Sequence, residues 1–156
     1  TTLVIRTIDL TEKNLIAQIL SMEGWLKGRL ENLLREDGRC FVALDGDTVA
    51  GFNLVSFRKI DIPRVHFIQK LEGKEAFSEQ ITVHRDYRGR GLATRLRYKV
   101  YQDLLTQGIN TLYGSTEITN TANLALSQKV GLKDIANIHY RKFLWKHNTT
   151  VEKLDS

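Results

Sequence analysis

The sequence predicts an α/β fold in one domain, and three observations support that prediction. Short runs alternate apolar and polar residues as strands do, and the stretches between them repeat apolar residues at helical spacing. The chain has 156 residues, of which 42% are hydrophobic and 26% charged, which is typical of one globular domain with a sizeable core. One strand also runs directly into a glycine-spaced turn that opens a helix, at residues 83–93. We therefore expect a single domain over residues 1–156.

The first half of the chain predicts three strands and two helices. A short edge strand at residues 3–7 precedes a helix whose apolar positions are Leu15, Ile16, Ile19 and Leu20. A second helix repeats apolar residues from Trp25 to Leu34 and ends near Gly38, where glycine can cap it. Strands at residues 39–44 and 49–57 follow, and the Asp45-Gly46-Asp47 sequence between them indicates a hairpin.

The second half predicts four more strands and two more helices. Alternation marks a fourth strand at residues 77–83, and a helix beginning near Gly91 carries one apolar stripe and ends at Gly108. A fifth strand at residues 111–115 leads to a helix that begins at Asn120. Strands at residues 133–138 and 140–146 complete the sheet. The polar residues 147–156 are predicted to be a tail.

The turn after the fourth strand has the properties of a phosphate-binding site. It reads Val-His-Arg-Asp-Tyr-Arg-Gly-Arg-Gly-Leu-Ala from Val83 to Ala93. Gly89 and Gly91 allow positive φ and close approach of a ligand to the backbone, and the first turn of the helix presents unpaired N–H groups. A Walker loop is excluded, because no Gly-Lys is followed by Ser or Thr. A dinucleotide fingerprint is weak, because its last glycine position is Thr94.

Two motifs resemble those of one known family. Arg88-x-x-Gly91-x-Ala93 resembles the coenzyme A pyrophosphate loop of the GNAT superfamily of acyl-CoA N-acyltransferases. Residues 120–132, Asn-Thr-Ala-Asn-Leu-Ala-Leu-Ser-Gln-Lys-Val-Gly-Leu, resemble the later helix of that family. Together the motifs support residues 75–146. One position departs from the pattern, since Ser127 stands where the family often has a tyrosine.

The resemblance implies a fold, a cosubstrate and the residues that bind it. It implies a mixed, mostly antiparallel sheet of about seven strands with about four helices, splayed between strands four and five. Acetyl-CoA would place its pantetheine arm along Ile81, Thr82 and Val83 and near Asn120 and Asn123. Its pyrophosphate would contact the backbone of the loop and the helix start, and Thr94 would add a hydroxyl. The residues of this loop and helix start are Arg88, Gly89, Arg90, Gly91, Leu92, Ala93 and Thr94.

The resemblance also implies direct attack of an amine on the thioester, which needs a base and a proton donor. Glu79 is the preferred base, because it stands two residues before Ile81 and on the same face of the predicted strand, and Glu75 and Glu117 are reserves. Its pKa would have to be raised by burial. Tyr140 and Tyr113 are the candidates for donating the proton to the leaving thiolate, and Ser127 could hold a water where the family's tyrosine is missing. The acceptor would be the amine of a small molecule or peptide.

Two other functions are open to this sequence. The formal net charge is +5, and six basic residues lie between positions 85 and 99 with Tyr87 and Tyr98 among them, an arrangement that could follow a nucleic-acid backbone. Coenzyme A is also anionic and explains the same charge, so we expect no nucleic acid as partner. A domain that has lost its chemistry and senses acyl-CoA is the second alternative, favoured by Ser127.

Composition also indicates the cellular compartment and the possible partners of the protein. No apolar run approaches the roughly 18 to 20 residues of a membrane span, and we expect a cytoplasmic protein without a membrane partner. Cys40 is the only cysteine and lies among apolar residues, so it predicts a buried, inert thiol. No metal site is predicted. An exposed last strand would allow pairing with a second copy of the chain as a homodimer.

Overall fold

The computed structural model describes residues 2–117, 119–129, 136–143 and 146–154. The chain begins with strand β1 (Val4–Ile8), helices α1 (Lys13–Met22) and α2 (Arg29–Arg35), and strands β2 (Arg39–Asp45) and β3 (Thr48–Ser56). It continues with β4 (Lys59–Ile62), β5 (Phe67–Lys70), β6 (Glu75–Val83), α3 (Leu92–Thr106) and β7 (Thr111–Gly114). The last elements are α4 (Thr121–Lys129), β8 (Ala136–Phe143) and β9 (Lys146–Lys153). Three short 3₁₀ turns lie between these elements: η1 (Gly24–Leu26), η2 (Pro63–Val65) and η3 (Arg85–Tyr87).

The central sheet contains five strands in the order β1-β2-β3-β6-β7. The first four pair antiparallel to one another, whereas β6 and β7 are parallel, as expected for two strands joined by the crossover helix α3. The mixed, mostly antiparallel sheet and the four helices are therefore confirmed. Two additional antiparallel pairs, β4-β5 and β8-β9, form separate sheets.

Helices cover both faces of the central sheet. One face carries α1 and α2, and its core contains Ile19, Leu30 and Phe52. The other face carries α3, whose buried stripe is Leu92, Leu96, Val100 and Leu104, as the spacing predicted. Cys40 is fully buried on β2, and burial raises the pKa of its thiol. No helix in the described ranges combines the length and the apolar character needed to cross a membrane.

The strands differ from the predicted pattern in two places. Residues 59–70, for which the sequence predicted no element, form the hairpin β4-β5. Near the C-terminus, the single strand β8 covers much of both strands predicted at 133–138 and 140–146, and the predicted tail 147–156 supplies most of β9. Eight residue pairs join these two strands, so cross-strand pairing stabilises a polar segment that its own composition did not mark as a strand.

Candidate active site

The predicted phosphate turn lies at the C-terminal end of β6. Gly89 and Gly91 both take left-handed backbone angles, with φ of 78° and 70°, which confirms the reason for two glycines there. Gly91 is the N-cap of α3, and the first bond of the helix runs from the N–H of Arg95 to the carbonyl of Gly91. The N–H groups of residues 92–94 therefore lack acceptors inside the helix. Together with the positive end of the helix dipole, these donors favour the binding of an anion.

Side chains around this turn hold its shape. The Tyr87 hydroxyl donates to Asp45 Oδ2 at 2.7 Å and ties the turn to the β2-β3 hairpin. The guanidinium of Arg90 lies 5.5 Å from the centre of the Tyr87 ring, and Arg88 Nε donates to the Val83 carbonyl at 3.2 Å. His84 lies just beyond the strand, where its Nδ1 accepts from the Asp86 N–H at 3.1 Å.

The turn and the hairpin border an open cleft of about 450 Å³. Its lining residues are Asp45, Thr48, His84, Asp86, Tyr87 and Arg90. A side chain placed on Gly89 or Gly91 would meet no heavy atom within 4 Å, so the backbone of the turn is accessible from solvent. A pyrophosphate group therefore fits the turn by charge, by donor supply and by space.

Strand β7 pairs with only the first part of β6, as the predicted splay requires. Their parallel pairing covers four positions, from Glu75 with Thr111 to Ser78 with Gly114. Beyond Ser78, no strand in the described part of the chain pairs with that edge of β6, which leaves the backbone of residues 79–83 open on one side. A chain of amides such as pantetheine can pair with an open strand edge as another strand would.

A β-bulge changes which face of the sheet Glu79 occupies. Leu54 pairs with Gln80 and Val55 pairs with Ser78, so Glu79 is the extra residue between them. Ile81 packs in the core under α3, whereas Glu79 bonds to Arg29 of α2 on the opposite face. The expectation that Glu79 and Ile81 share a strand face was therefore wrong, because the bulge inverts the alternation between them.

Glu79 is a buried carboxylate with one charged partner. Its side chain is 7% exposed, and Arg29 forms a two-point ion pair with it, through Nη2 to Oε1 and through Nε to Oε2 at 3.2 Å. Burial raises the pKa of Glu79 and outweighs the opposing effect of Arg29. The pKa of Arg29 is lowered by burial but raised more by the Glu79 bond and charge, and the net shift is upward.

The reserve bases are less suited to accept a proton. Glu75 accepts the Tyr113 hydroxyl at 2.7 Å, and that bond lowers the pKa of Glu75 and raises the pKa of Tyr113. Because the two side chains bond to each other, Glu75 is less available as a base and Tyr113 is a poor proton donor. Glu117 forms an exposed ion pair with Arg64.

The remaining predicted residues lie on β6 and in the C-terminal part of the chain. Thr82 donates to Glu23 Oε1 at 3.3 Å, on the same face as Glu79. Asn120 occupies the N-cap position of α4, because its carbonyl accepts from the Leu124 N–H at 3.1 Å. Asn123 and Ser127 belong to α4 and Tyr140 belongs to β8, and their side chains lie outside the part of the structure that is described.

Comparison with known proteins identifies the family. The model of the acetyltransferase (GNAT) family matches residues 7–132. The chain belongs to this family. The expectation of an acyltransferase with a coenzyme A donor is thereby confirmed at the level of the family. No curated protein sequence matches the chain.

Solved structures of other GNAT proteins share the fold at low sequence identity. The aminoglycoside N-acetyltransferase AAC(6')-Iy in complex with CoA is 23% identical, with a TM-score of 0.69 over 90% of this chain and 99% of that chain. A ribosomal-protein-alanine N-acetyltransferase from Brucella melitensis is 16% identical, with a TM-score of 0.66 over 91% and 100%. The aminoglycoside acetyltransferase meta-AAC0020 from a soil metagenome, in complex with sisomicin, is 14% identical, with a TM-score of 0.65 over 91% and 96%. These similarities establish the fold of this GNAT protein.

Sequence analysis missed two residues near Glu79. Arg29 opens α2, fifty positions before its partner, and nothing local distinguishes it from a solvated arginine. Asn53 is fully buried on β3, and its interruption of the apolar run at residues 49–57 was a visible signal. Arg97 had been grouped with the basic surface run, but it is 5% exposed, so that interpretation of Arg97 was wrong.

Proposed function

We propose that this GNAT protein transfers an acetyl group from acetyl-CoA to the primary amine of a small molecule or peptide, by direct attack of the amine. The observation that carries the proposal is the position of Glu79: a buried carboxylate with a raised pKa, at a bulge beside the open edge of β6. Acetyl-CoA supplies the activated acyl thioester. The chain supplies binding, orientation and a proton acceptor.

Binding is divided between the turn and the strand edge. The N–H groups of residues 89–94 hold the pyrophosphate, since the Arg88 N–H bonds to the Arg85 carbonyl, and the backbone of Ile81, Thr82 and Val83 holds the pantetheine arm. N–H groups of β6 next to the bulge stabilise negative charge that develops on the acyl oxygen. The carboxylate of Glu79 retains lone pairs beside its two bonds to Arg29, so it accepts the amine proton directly or through water.

The acceptor enters from the face of the sheet that carries Glu79. Glu23 lies there at the start of η1, accepting from Thr82 and from the indole N–H of Trp25 at 3.0 Å. Trp25 is 61% exposed and offers an apolar surface beside these carboxylates. A cationic amine suits this surface, since both Glu23 and Glu79 carry negative charge when ionised.

A screen for thiol release tests the proposal. The protein is mixed with acetyl-CoA and pools of amines, amino acids, peptides and aminoglycosides, and free coenzyme A is measured against pools without protein. We expect release that depends on one pool and an acetylated amine detectable by mass spectrometry. Tight acetyl-CoA binding without release for any acceptor would instead favour an acyl-CoA sensor, the alternative that Ser127 suggests.

Tyr87→Phe is predicted to weaken acetyl-CoA binding. The change removes the 2.7 Å bond to Asp45 but keeps the ring beneath Arg90, so the turn loses its tether to the hairpin. A hydrogen bond of ordinary net strength corresponds to a roughly twofold to tenfold rise in Kd, measured by calorimetry. Tyr98→Phe is the matched control, since Tyr98 is exposed on the outer face of α3. Equal Kd values in both variants would show that the hydrogen bond between Tyr87 and Asp45 does not contribute to acetyl-CoA binding.

Coenzyme A is predicted to be the anionic ligand of the basic turn, in preference to nucleic acid. Stoichiometric coenzyme A should raise the melting temperature and saturate. Labelled oligonucleotides should show no saturable anisotropy change at about 50 mM salt, where phosphate contacts are strongest. Tight oligonucleotide binding that falls steeply by about 200 mM salt, without stabilisation by coenzyme A, would overturn the proposed function.

A further inference from the structure

Asn53 is a polar residue at an unusual place. It is fully buried in β3 between Phe52 and Leu54, which are themselves fully buried in the apolar core. Placing an amide there costs free energy unless each polar atom finds a partner. The partners of Asn53 therefore indicate why an amide stands at this position.

All the strong partners of the Asn53 amide flank the bulge of β6. Its Nδ2 donates to Ser78 Oγ at 2.9 Å and to the Gln80 carbonyl at 2.8 Å. These two residues lie on either side of the extra residue Glu79. A bulge locally disrupts the ladder between strands, and the Asn53 side chain supplies donors at that point.

Arg97 holds the other end of the same amide. Its Nη1 donates to Asn53 Oδ1 at 3.4 Å, which orients the two Nδ2 hydrogens toward β6. The guanidinium is buried, and burial lowers its pKa; no carboxylate forms an ion pair with it among the described residues. A buried cation with so few partners is an expensive way to stabilise a fold, so its contact with Asn53 points to a role in orientation.

We propose that Asn53, oriented by Arg97, is a positioning residue that fixes the bulge of β6 and so directs Glu79 to the acceptor face of the sheet. This inference rests on the proposed function only in the step that makes Glu79 the base. Asn53 acts from the opposite face and does not contact the reacting groups. The effect of Asn53 reaches Glu79 through the bulge. Without the extra residue, strict alternation would place position 79 on the same face of the sheet as Ile81.

Two variants remove the clamp without leaving Arg97 as a buried cation that has lost its partner. Asn53→Asp keeps the size and gives Arg97 an acidic partner, but it replaces the two donors with an oxygen that repels the Gln80 carbonyl. The double variant Asn53→Leu with Arg97→Met replaces both polar partners by apolar ones of similar size, a change that folds tolerate. Ser56→Ala is the matched control, because Ser56 is buried on the same strand and its hydroxyl bonds to the Lys59 carbonyl, away from the bulge.

Two measurements distinguish positioning from mere structural support. In steady-state assays we expect both clamp variants to lower kcat about 10- to 100-fold with little change in KM for acetyl-CoA, while Ser56→Ala stays near the wild type. The Glu79 pKa is read separately by ¹³C NMR of the side-chain carboxyl, assigned with Glu79→Gln. It should fall toward the ordinary value in both clamp variants, because a released carboxylate is hydrated. The groups that face Glu79 are Arg29 from α2 and Asp61 and Lys59 from β4, and none of them is changed.

The outcomes separate this inference from the proposed function. Folded clamp variants with unchanged kcat and an unchanged Glu79 pKa would overturn the inference. A Glu79 pKa that falls in the variants, in a protein that turns over no acceptor, would support the positioning role and contradict the proposed function. A lowered Asn53→Asp rate with an unchanged Glu79 pKa would also count against positioning.

Discussion

Glu79→Gln is expected to lower kcat about 10²- to 10⁴-fold while the affinity for acetyl-CoA stays nearly unchanged. Glutamine keeps the shape of the side chain and one acceptor oxygen for Arg29, but it cannot take the amine proton. The turn that we propose to hold the pyrophosphate lies at the end of β6 and is not touched by the change. The kinetic constants are measured with the acceptor found in the screen, and the affinity by calorimetry.

The pH dependence gives a second, independent test of the same residue. Burial raises the pKa of Glu79, and a general base works in its ionised form, so the wild-type rate should rise with pH through that raised value. The Gln variant should lack this rise and recover activity only as the free amine becomes abundant at higher pH. Glu75→Gln is the matched control, since the pKa of Glu75 is lowered by its bond from Tyr113. A near-wild-type rate for Glu79→Gln at neutral pH would exclude Glu79 as the base.

Local sequence patterns were sufficient to predict the phosphate turn and most of the fold. The turn depends on residues adjacent in sequence: a strand, two glycines in the left-handed region and a helix start. The hairpin at Asp45-Gly46-Asp47 and the buried stripe of α3 are local in the same way. In each case the physical cause, a required φ or a helical period, is visible within about a dozen residues.

The orientation of Glu79 depends on distant residues and was not predictable from alternation. A register shift between Leu54 and Val55 of the neighbouring strand decides which face Glu79 occupies. Its partner Arg29 comes from a helix fifty positions earlier, and the clamp on the bulge comes from Asn53 and Arg97 on two further elements. A bulge in one strand has no clear signature in that strand's own sequence, because the partners that stabilise it belong to other elements.

The prediction for the C-terminal hairpin was wrong for a related reason. Residues 146–153 contain several polar residues, which weaken the signal of a strand. Their pairing with β8 and the bond from Thr149 Oγ1 to the Val65 carbonyl at 2.6 Å supply the stabilisation from outside the segment. Strand propensity depends strongly on such neighbours.

Gly91→Val is expected to weaken acetyl-CoA binding about 10- to 100-fold while the fold is retained. Gly91 has φ of 70°, and a β-branched residue held there is strained by about 1–3 kcal/mol. The space around it is open, since a Cβ added there meets no heavy atom within 4 Å, and we expect backbone strain to be the main effect. The free turn can relax to a negative φ, but binding then has to restore the left-handed conformation. Each 1.4 kcal/mol of that cost is about a tenfold loss of affinity.

Gly108→Val is the matched control for this experiment. Gly108 also has a left-handed φ, of 80°, and also has open space around it, but it follows the opposite end of α3. Gly91→Val should lose no more stability in thermal unfolding than Gly108→Val, because its free turn can relax to a negative φ. Only Gly91→Val should lose affinity for acetyl-CoA in calorimetry, because only that glycine belongs to the turn proposed to bind the pyrophosphate. Equal affinities in two folded variants would place the anion elsewhere on the protein.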